Sequence, residues 1–296
     1  MRDRCSICPR SCAAVRSGTH GSGVCGMGET FKIARCEKHY WEEPCISGER
    51  GSGAVFFSGC SLRCVYCQNF KISHEGFGAP VSDENLIRMM KRLEAEGAHN
   101  INLVNPTHYT RQIMRVLDQY RPSVPIVYNC GGYEKAETIR ALKGYVDIYL
   151  PDLKYVDAAL GQKYSGAADY FEYASAAILA MYEQVGDPVY DADVIMYSGL
   201  IVRHLILPGQ VENSLRVLEW IAQNLPHTVP VSVMSQYTPC GDLSRFPELQ
   251  RRLTQAEYDR VFDRMLELDL TEGYIQELSS AKEEYIPPFD LSGVIT

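Results

Sequence analysis

The hydrophobic rhythm of this chain changes near residue 54. Before it, apolar residues are scattered among cysteines and glycines, and no period of two or of 3.6 is sustained. After it, short apolar runs alternate with longer stretches in which apolar residues recur every three to four positions. The runs read as buried strands: AVFFSG (54–59), NINLVN (100–105), PIVYNC (125–130), VDIYLPDLKY (146–155), LIVRHLILPG (200–209) and VPVSVMSQYTP (229–239). The stretches that follow them read as amphipathic helices. DENLIRMMKRLEAEG has Asp83 near its start and Gly97 as its stop. YTRQIMRVLDQY, EKAETIRALKGY, DYFEYASAAILAMYEQVG, VENSLRVLEWIAQNL and TQAEYDRVFDRMLELDL complete the series.

Six β–α units with strands apolar on both faces predict an α/β chain with a parallel sheet. Periodicity alone fits an open doubly wound sheet, a barrel or a partial barrel. The organisation expected is a Cys-rich segment over 1–50, an α/β core over 51–280 and a tail over 281–296 lying on the surface.

Composition narrows the class. At 46% hydrophobic and 22% charged, the 296 residues have the balance of a soluble globular protein. A net charge of −8 argues against nucleic acid as a partner, because phosphate binding wants a basic face. No apolar run approaches the roughly 18 residues of a membrane span. The start, MRDRCSICPRSC, lacks the apolar core of a signal peptide. The expectation is a cytoplasmic protein with no membrane partner, in a compartment where thiols stay reduced. Of eleven cysteines, nine lie before residue 68. An odd count crowded toward one end favours metal ligation over disulfides.

The densest chemistry is in FFSGCSLRCVYCQNF, where Cys60, Cys64 and Cys67 are spaced C-x3-C-x2-C directly after the first strand. The C-terminal ends of parallel strands are where α/β folds place their ligands. Thiolates select zinc or iron–sulfur clusters. A cubane cluster normally takes four cysteines, so three leave one iron with an open position, and an open position is a reactive one. The competing reading is a zinc knot that borrows a fourth ligand, such as His74 or an N-terminal cysteine.

The C-x3-C-x2-C spacing, with Tyr66 before the last cysteine, resembles the signature of the radical S-adenosylmethionine (SAM) superfamily. The resemblance is nearest to the pyruvate formate-lyase-activating-enzyme-like branch with a Cys-rich N-terminus. It extends through CSICPRSC, HYWEEPCISG, NINLVNPTHY, PIVYNCGGYEK, VDIYLPDLKY and VRHLILPG, and weakly through MSQYTP. It implies a partial (β/α)6 TIM-like barrel, a [4Fe–4S] cluster on Cys60, Cys64 and Cys67, and SAM chelated to the open iron. One-electron reduction would cleave SAM to a 5′-deoxyadenosyl radical that abstracts hydrogen from a substrate. The substrate implied is a glycyl-radical enzyme. The alternatives are modification of a peptide or small metabolite or, outside this chemistry, a non-catalytic iron–sulfur or zinc protein for electron transfer or binding. A reductant protein such as flavodoxin or ferredoxin is implied as partner.

The same resemblance assigns roles at the other strand ends. Relatives carry a Gly-Gly-Glu-like segment after strand two, where this chain has Asn105, Pro106, Thr107 and His108. The Pro106 carbonyl and the Thr107 side chain are the substitutes expected to hold SAM, and His108 is counted in the same cofactor site. Lys154 would pair with the SAM carboxylate, and Asp152 would help hold a monovalent cation beside it. Asn129 is expected to bond the same carboxylate or cation, and Gln236 the ribose or substrate. Arg203 and His204 interrupt an apolar strand, and adjacent strand residues face opposite sides. Arg203 is taken as the interior one.

Cys5, Cys8, Cys12 and Cys25 (C-x2-C-x3-C-x12-C) form a second set, suited to a further iron–sulfur cluster or to structural zinc. Cys36, Cys45, Cys130 and Cys240 read as reduced structural thiols. HYWEEP (39–44), aromatic with two carboxylates, fits either the lining of a substrate mouth or packing that holds the N-terminal unit on the core, and packing is the reading taken.

Overall fold

A computed structural model of the chain describes residues 4–276 and 287–296. Its centre is a curved, mainly parallel sheet. Strands β1 (Ser52–Phe57), β2 (Ile101–Val104), β3 (Ile126–Cys130) and β4 (Ile148–Pro151) pair in chain order, each parallel to the last. β5 continues the sheet in two pieces. Met196–Leu200 runs parallel to β4, and after Ile201 the strand resumes as Val202–Leu205. A parallel bridge between Asp152 and Arg203 carries the ladder across that break. β6 (Val231–Met234) and β7 (Gly273–Ile275) follow, again parallel. β1 through β4 are buried at every position, as strands covered on both faces must be. Helices lie outside, among them Asp83–Ala95, capped by the Ser82 hydroxyl, and Gln255–Glu267, opened by a Thr254–Glu257 capping box. The result is a mixed α/β fold of partial-barrel type with a Cys-rich N-terminus.

The sheet has strands that the sequence expectation did not include. Phe31–His39 pairs antiparallel along the free edge of β1, and Ala79–Val81 pairs beyond it. A bulge between Ile33 and Arg35 breaks the two-residue alternation that would have revealed this strand. β7 went unread because it has three residues and begins with glycine. Six β–α units were legible, and among the described residues the parallel set has seven strands.

The packing reading of HYWEEP needs correction. Instead of packing on the outside, the chain enters the barrel here. The short helix Pro44–Ser47 sits inside, with Cys45 and Ile46 in one apolar cluster with Val127, Ile148, Leu150 and Ile201 of β3, β4 and β5. Asn100 Nδ2 donates to the Ile46 carbonyl at 2.7 Å and fixes the plug. Glu42 and Glu43 are thereby carried into the interior.

The described end of the chain, 287–296, lies on the antiparallel edge. Cys36 N donates to the Ser292 carbonyl, Leu291 N donates to the Ala34 carbonyl, and Phe289 packs on Phe56. The expected tail begins at 281, and its first part falls outside the described residues. Among those described, no helix is long and apolar enough to cross a membrane.

Candidate active site at the barrel mouth

β1 ends at Phe57, and Gly59, at a φ of +83°, turns the chain into the cysteine loop. That turn admits only a hydrogen at Gly59, because a Cβ there would meet Met27 and the Cys25 carbonyl. Cys60, Cys64 and Cys67 face one cavity of about 260 Å3 at the C-terminal end of the strands. Each sulfur has a donor aimed at it. Leu62 N–H lies 3.4 Å from Cys60 Sγ, Ser165 Oγ 3.0 Å from Cys64 Sγ and Ser73 Oγ 3.3 Å from Cys67 Sγ. Sulfurs that accept hydrogen bonds are suited to the thiolate form, which is the form that ligates iron. Without a metal, burial pushes the Cys60 thiol up to about 11 and the Cys67 thiol to about 12. A cationic metal centre opposes that penalty and favours the thiolate. The donor set therefore fits an iron–sulfur cluster. His74 is engaged elsewhere: its ring nitrogens meet the Arg63 carbonyl and the Ser73 hydroxyl, and its ring stacks on Phe70.

Opposite the thiols, four strands contribute one buried ionic network. Arg203 on β5 donates from Nε to Asp152 Oδ1 (2.9 Å), from Nη1 to Glu42 Oε2 (3.1 Å) and from Nη2 to Asn129 Oδ1 (2.6 Å). Lys154 Nζ meets the other Asp152 oxygen at 2.5 Å. Glu42 Oε1 accepts from Asn102 on β2 and Asn129 on β3, each at 3.1 Å. Register explains the convergence, since the pairs Val104–Asn129, Cys130–Pro151 and Asp152–Arg203 step the strand ends around one rim. Burial alone would raise the Asp152 pKa. The Lys154 and Arg203 cations outweigh it and hold the carboxyl below its ordinary value. Burial likewise works against the Lys154 ammonium, and the Asp152 carboxylate overrides it upward. Burial pushes Glu42 up against the pull of Arg203.

The cavity wall thus brings together Cys60, Cys64, Cys67, Asn129, Asp152, Lys154, Arg203 and Gln236. His204 faces away, its Nδ1 near the Leu153 carbonyl and its Nε2 near Ser214 under the helix Val211–Asn224. Pro106, Thr107 and His108 do not line it. After β2 the chain turns away through Asn105, at a φ of +59°, whose side chain donates to the Gly59 carbonyl. Asn105 is the residue left on the cavity wall. Thr107 Oγ1 instead donates to Glu134 at 2.5 Å. His108 is buried on the far side of the loop, where it lines a small cavity with Cys5, Cys8, Cys12 and Cys25. Burial pushes its pKa down to about 3, which keeps the ring neutral.

Sequence reasoning allowed HYWEEP at a substrate mouth but did not single out Glu42, which lines the cavity. Two adjacent carboxylates in an otherwise aromatic stretch were the available signal, because acidic side chains are seldom buried without partners. A second cavity, about 720 Å3, shares Trp41, Glu42, Arg203 and Gln236 with the first. Two buried acceptors without partners among the described residues, Glu43 Oε2 and Gln276 Oε1, belong to its wall.

Comparison with known proteins adds a family. Residues 54–221 match the model of the radical SAM superfamily. An uncharacterized protein of Methanocaldococcus jannaschii is 28% identical over 284 residues, covering 93% of this chain and 76% of that one. Among solved structures, Streptococcus suis SuiB bound to precursor peptide SuiA superposes with a TM-score of 0.50 at 12% identity, over 75% of this chain and 48% of SuiB. The FeFe-hydrogenase maturase HydG from Carboxydothermus hydrogenoformans gives 0.46 at 13% identity, over 79% of this chain and 56% of HydG. This chain spans about half the length of those solved structures, and the SuiB likeness speaks for the fold alone.

Proposed function

This chain belongs to the radical SAM superfamily, and from that premise we propose that Cys60, Cys64 and Cys67 hold its [4Fe–4S] cluster, with SAM seated against the ionic network across the mouth. The observation that carries this reading is the shared cavity. Three hydrogen-bonded sulfurs face Lys154, Asp152, Arg203 and Asn129 across one space. When bound, the cluster and SAM supply one-electron cleavage of the sulfonium and a 5′-deoxyadenosyl radical that takes hydrogen from a substrate. This chain's own groups do the placing. Lys154, held charged by Asp152, is the ammonium available to a carboxylate. Arg203 fixes Asp152, Asn129 and Glu42 in one orientation. Gln236 stands at the end of β6, where it can bond a ribose or substrate hydroxyl. Asp152 is also the carboxylate that would hold a monovalent cation.

We read the substrate as a polypeptide, with a backbone glycine of a glycyl-radical enzyme as the hydrogen donor. Tyr40 and Trp41 are exposed, and both line the second cavity. Glu43 Oε2 and Gln276 Oε1 call for donors, which peptide N–H groups supply. A flavodoxin- or ferredoxin-type protein is the reductant. The test is anaerobic: reconstituted protein, SAM and dithionite, with 5′-deoxyadenosine and methionine quantified and SAM titrated against the cluster's EPR signal. The Cys60/Cys64/Cys67→Ala variant is expected to lose product by at least about 1000-fold, since the cofactor carries the hard chemistry. A native cluster whose EPR signal ignores SAM would overturn the reading.

A further inference from the structure

Cys64 differs from the other two cysteines of the mouth in what stands behind its hydrogen-bond donor. Cys60 Sγ receives the backbone N–H of Leu62. The Ser73 hydroxyl on Cys67 Sγ also lies 2.8 Å from His74 Nδ1, a nitrogen able to take its proton. The Ser165 hydroxyl, 3.0 Å from Cys64 Sγ, lies 3.0 Å from Tyr155 Oη, and Tyr155 Oη lies 2.6 Å from Tyr66 Oη. Each hydroxyl has one proton to give. A metal-bound thiolate only accepts, so the Ser165 proton points at Cys64 Sγ. Tyr155 then donates to Ser165, and Tyr66 donates to Tyr155. Three O–H groups in a row are thereby directed at one sulfur. Cys64, Tyr66, Tyr155 and Ser165 are all buried. Water does not compete for these protons, and in a low dielectric hydrogen bonds in series polarise one another.

The fold holds this row from several sides. Tyr155 follows β4, and Ser165 closes the helix Ala158–Ser165. Val65 N donates to the Tyr164 carbonyl at 2.9 Å and so ties the cysteine loop to that helix. Upstream, the loop is anchored where His108 Nε2 lies 2.7 Å from the Ser58 carbonyl. Neighbouring ring edges fix the phenols. Tyr155 meets Tyr170 at 5.2 Å between centroids, and Tyr66 meets Tyr164 at 6.1 Å and Tyr237 at 6.3 Å. Given the cluster assigned above to Cys60, Cys64 and Cys67, we propose that Tyr66, Tyr155 and Ser165 are positioning residues that raise its reduction potential through Cys64. Hydrogen bonds to cluster sulfurs are one of the protein's controls on potential. One electron from the reductant increases the negative charge on those sulfurs, and a directed O–H stabilises that charge more than it stabilises the oxidised form. Each hydroxyl keeps its own proton throughout. The row also gives the Tyr66 hydroxyl, and not only its ring, a task in the cysteine loop.

The experiment uses the full chain, reconstituted anaerobically with iron and sulfide and titrated with dithionite through redox mediators. The midpoint potential is read from the EPR signal that the Cys60/Cys64/Cys67→Ala chain lacks. Ser165→Ala is expected to lower it by about 59 mV, a tenfold change in the one-electron equilibrium. Tyr155→Phe removes one oxygen and keeps the ring, and it should lower the potential by about a third of that or less, the polarisation passed between bonds in series. Tyr66→Phe, one link further away, should lower it less again. With Ser165→Ala already in place, neither tyrosine change should shift the potential further. The two phenylalanine variants read the row with Ser165 intact. Tyrosine variants that leave the potential unchanged, or that shift it equally with and without Ser165, overturn the proposal. So does an unchanged or higher potential in a Ser165→Ala chain with native circular dichroism. In each of these cases the cluster at the mouth still stands. Iron and labile sulfide that are the same with and without the three cysteines overturn that assignment and the row with it.

Discussion

The barrel mouth and the N-terminal cavity both gather cysteines, but they surround them differently. At the mouth, three sulfurs each accept a hydrogen bond, and they open onto a cavity walled on its far side by two cations and two carboxylates. In the N-terminal cavity, four thiols and an imidazole surround a small apolar space. The difference separates an open, charged mouth from a closed space of small volume. A reactive centre needs an unfilled coordination position with fixed charges beyond it. The mouth has both the charges and the room.

The sharpest way to break this comparison is to remove the charges at the mouth. Arg203 satisfies Asp152, Glu42 and Asn129 at once and is largely buried. Arg203→Met leaves Glu42 as a buried carboxylate without its cation. The expected loss is about 3–5 kcal/mol of stability, the usual result of removing one partner of a buried pair. Adding Glu42→Gln should restore part of that loss, because Asn102 and Asn129 still donate to the amide oxygen. Denaturant melts of the two single variants and the double give the coupling energy. Additive losses would mean that Glu42 and Arg203 do not act as a pair. Glu42 would then be plain packing of the plug.

How much of this was legible depended on whether the signal was local. β1 to β4 show themselves as short unbroken apolar runs, and the major helices because each repeats one period over enough residues. Cys60, Cys64 and Cys67 show themselves because their spacing lies within eight residues. Lys154 and Asp152 were readable as charges ending an apolar strand. Glu42 was not, because its role comes from a plug that enters the barrel from residues 44–47 and meets Arg203, 161 residues away in the chain. His108 was placed on the wrong side of the loop. The positive φ at Asn105, which turns the chain away from the mouth, is invisible in a sequence read for periodicity. Both misses concern where a loop sends a side chain, and loop direction carries no period.

Glu134 lies between the two regions and tests whether they share a charge. It accepts from Thr107, the neighbour of His108, and from Tyr128 on β3, at 2.5 and 3.5 Å. Burial pushes its pKa up from 4.5 to about 8, against the pull of hydrogen bonds from Thr107, Cys130 and Tyr128. Between those values the folded protein keeps a proton that the unfolded chain has released. Stability should therefore fall as pH rises through this window, by up to about 1.4 kcal/mol per pH unit. Below the unfolded value the contribution is fully present, and above about 8 it is lost. Glu134→Gln keeps the shape and cannot ionise, so it should flatten that slope. The difference between native and variant proteins from pH 5 to 8 is expected to reach about 3 kcal/mol. Parallel pH profiles would show that Glu134 is ionised throughout, leaving a carboxylate's charge beside both regions.

The smallest expected effect concerns the contact that holds the two regions together. Arg10, in the N-terminal segment, donates to the backbone carbonyls of Ser61 (2.8 Å), Ser165 (2.6 Å) and Gly166. One guanidinium thus ties the N-terminal segment to the loop of Cys60 and to the residue whose hydroxyl bonds Cys64 Sγ. Its side chain is only partly buried, so water can replace some of these bonds, and Arg10→Ala should cost about 1–2 kcal/mol. Arg10→Lys supplies one ammonium where three directed N–H groups are needed, and should recover less than half of that loss. The more telling readout is hydrogen exchange at residues 60–67. If the N-terminal segment supports the cysteine loop, protection there should drop in both variants while β3 and β4 stay unchanged. Loss of stability with the loop still protected would show the two regions to be joined mainly through His108 and Ser58, and Arg10 to be a local clasp on the surface.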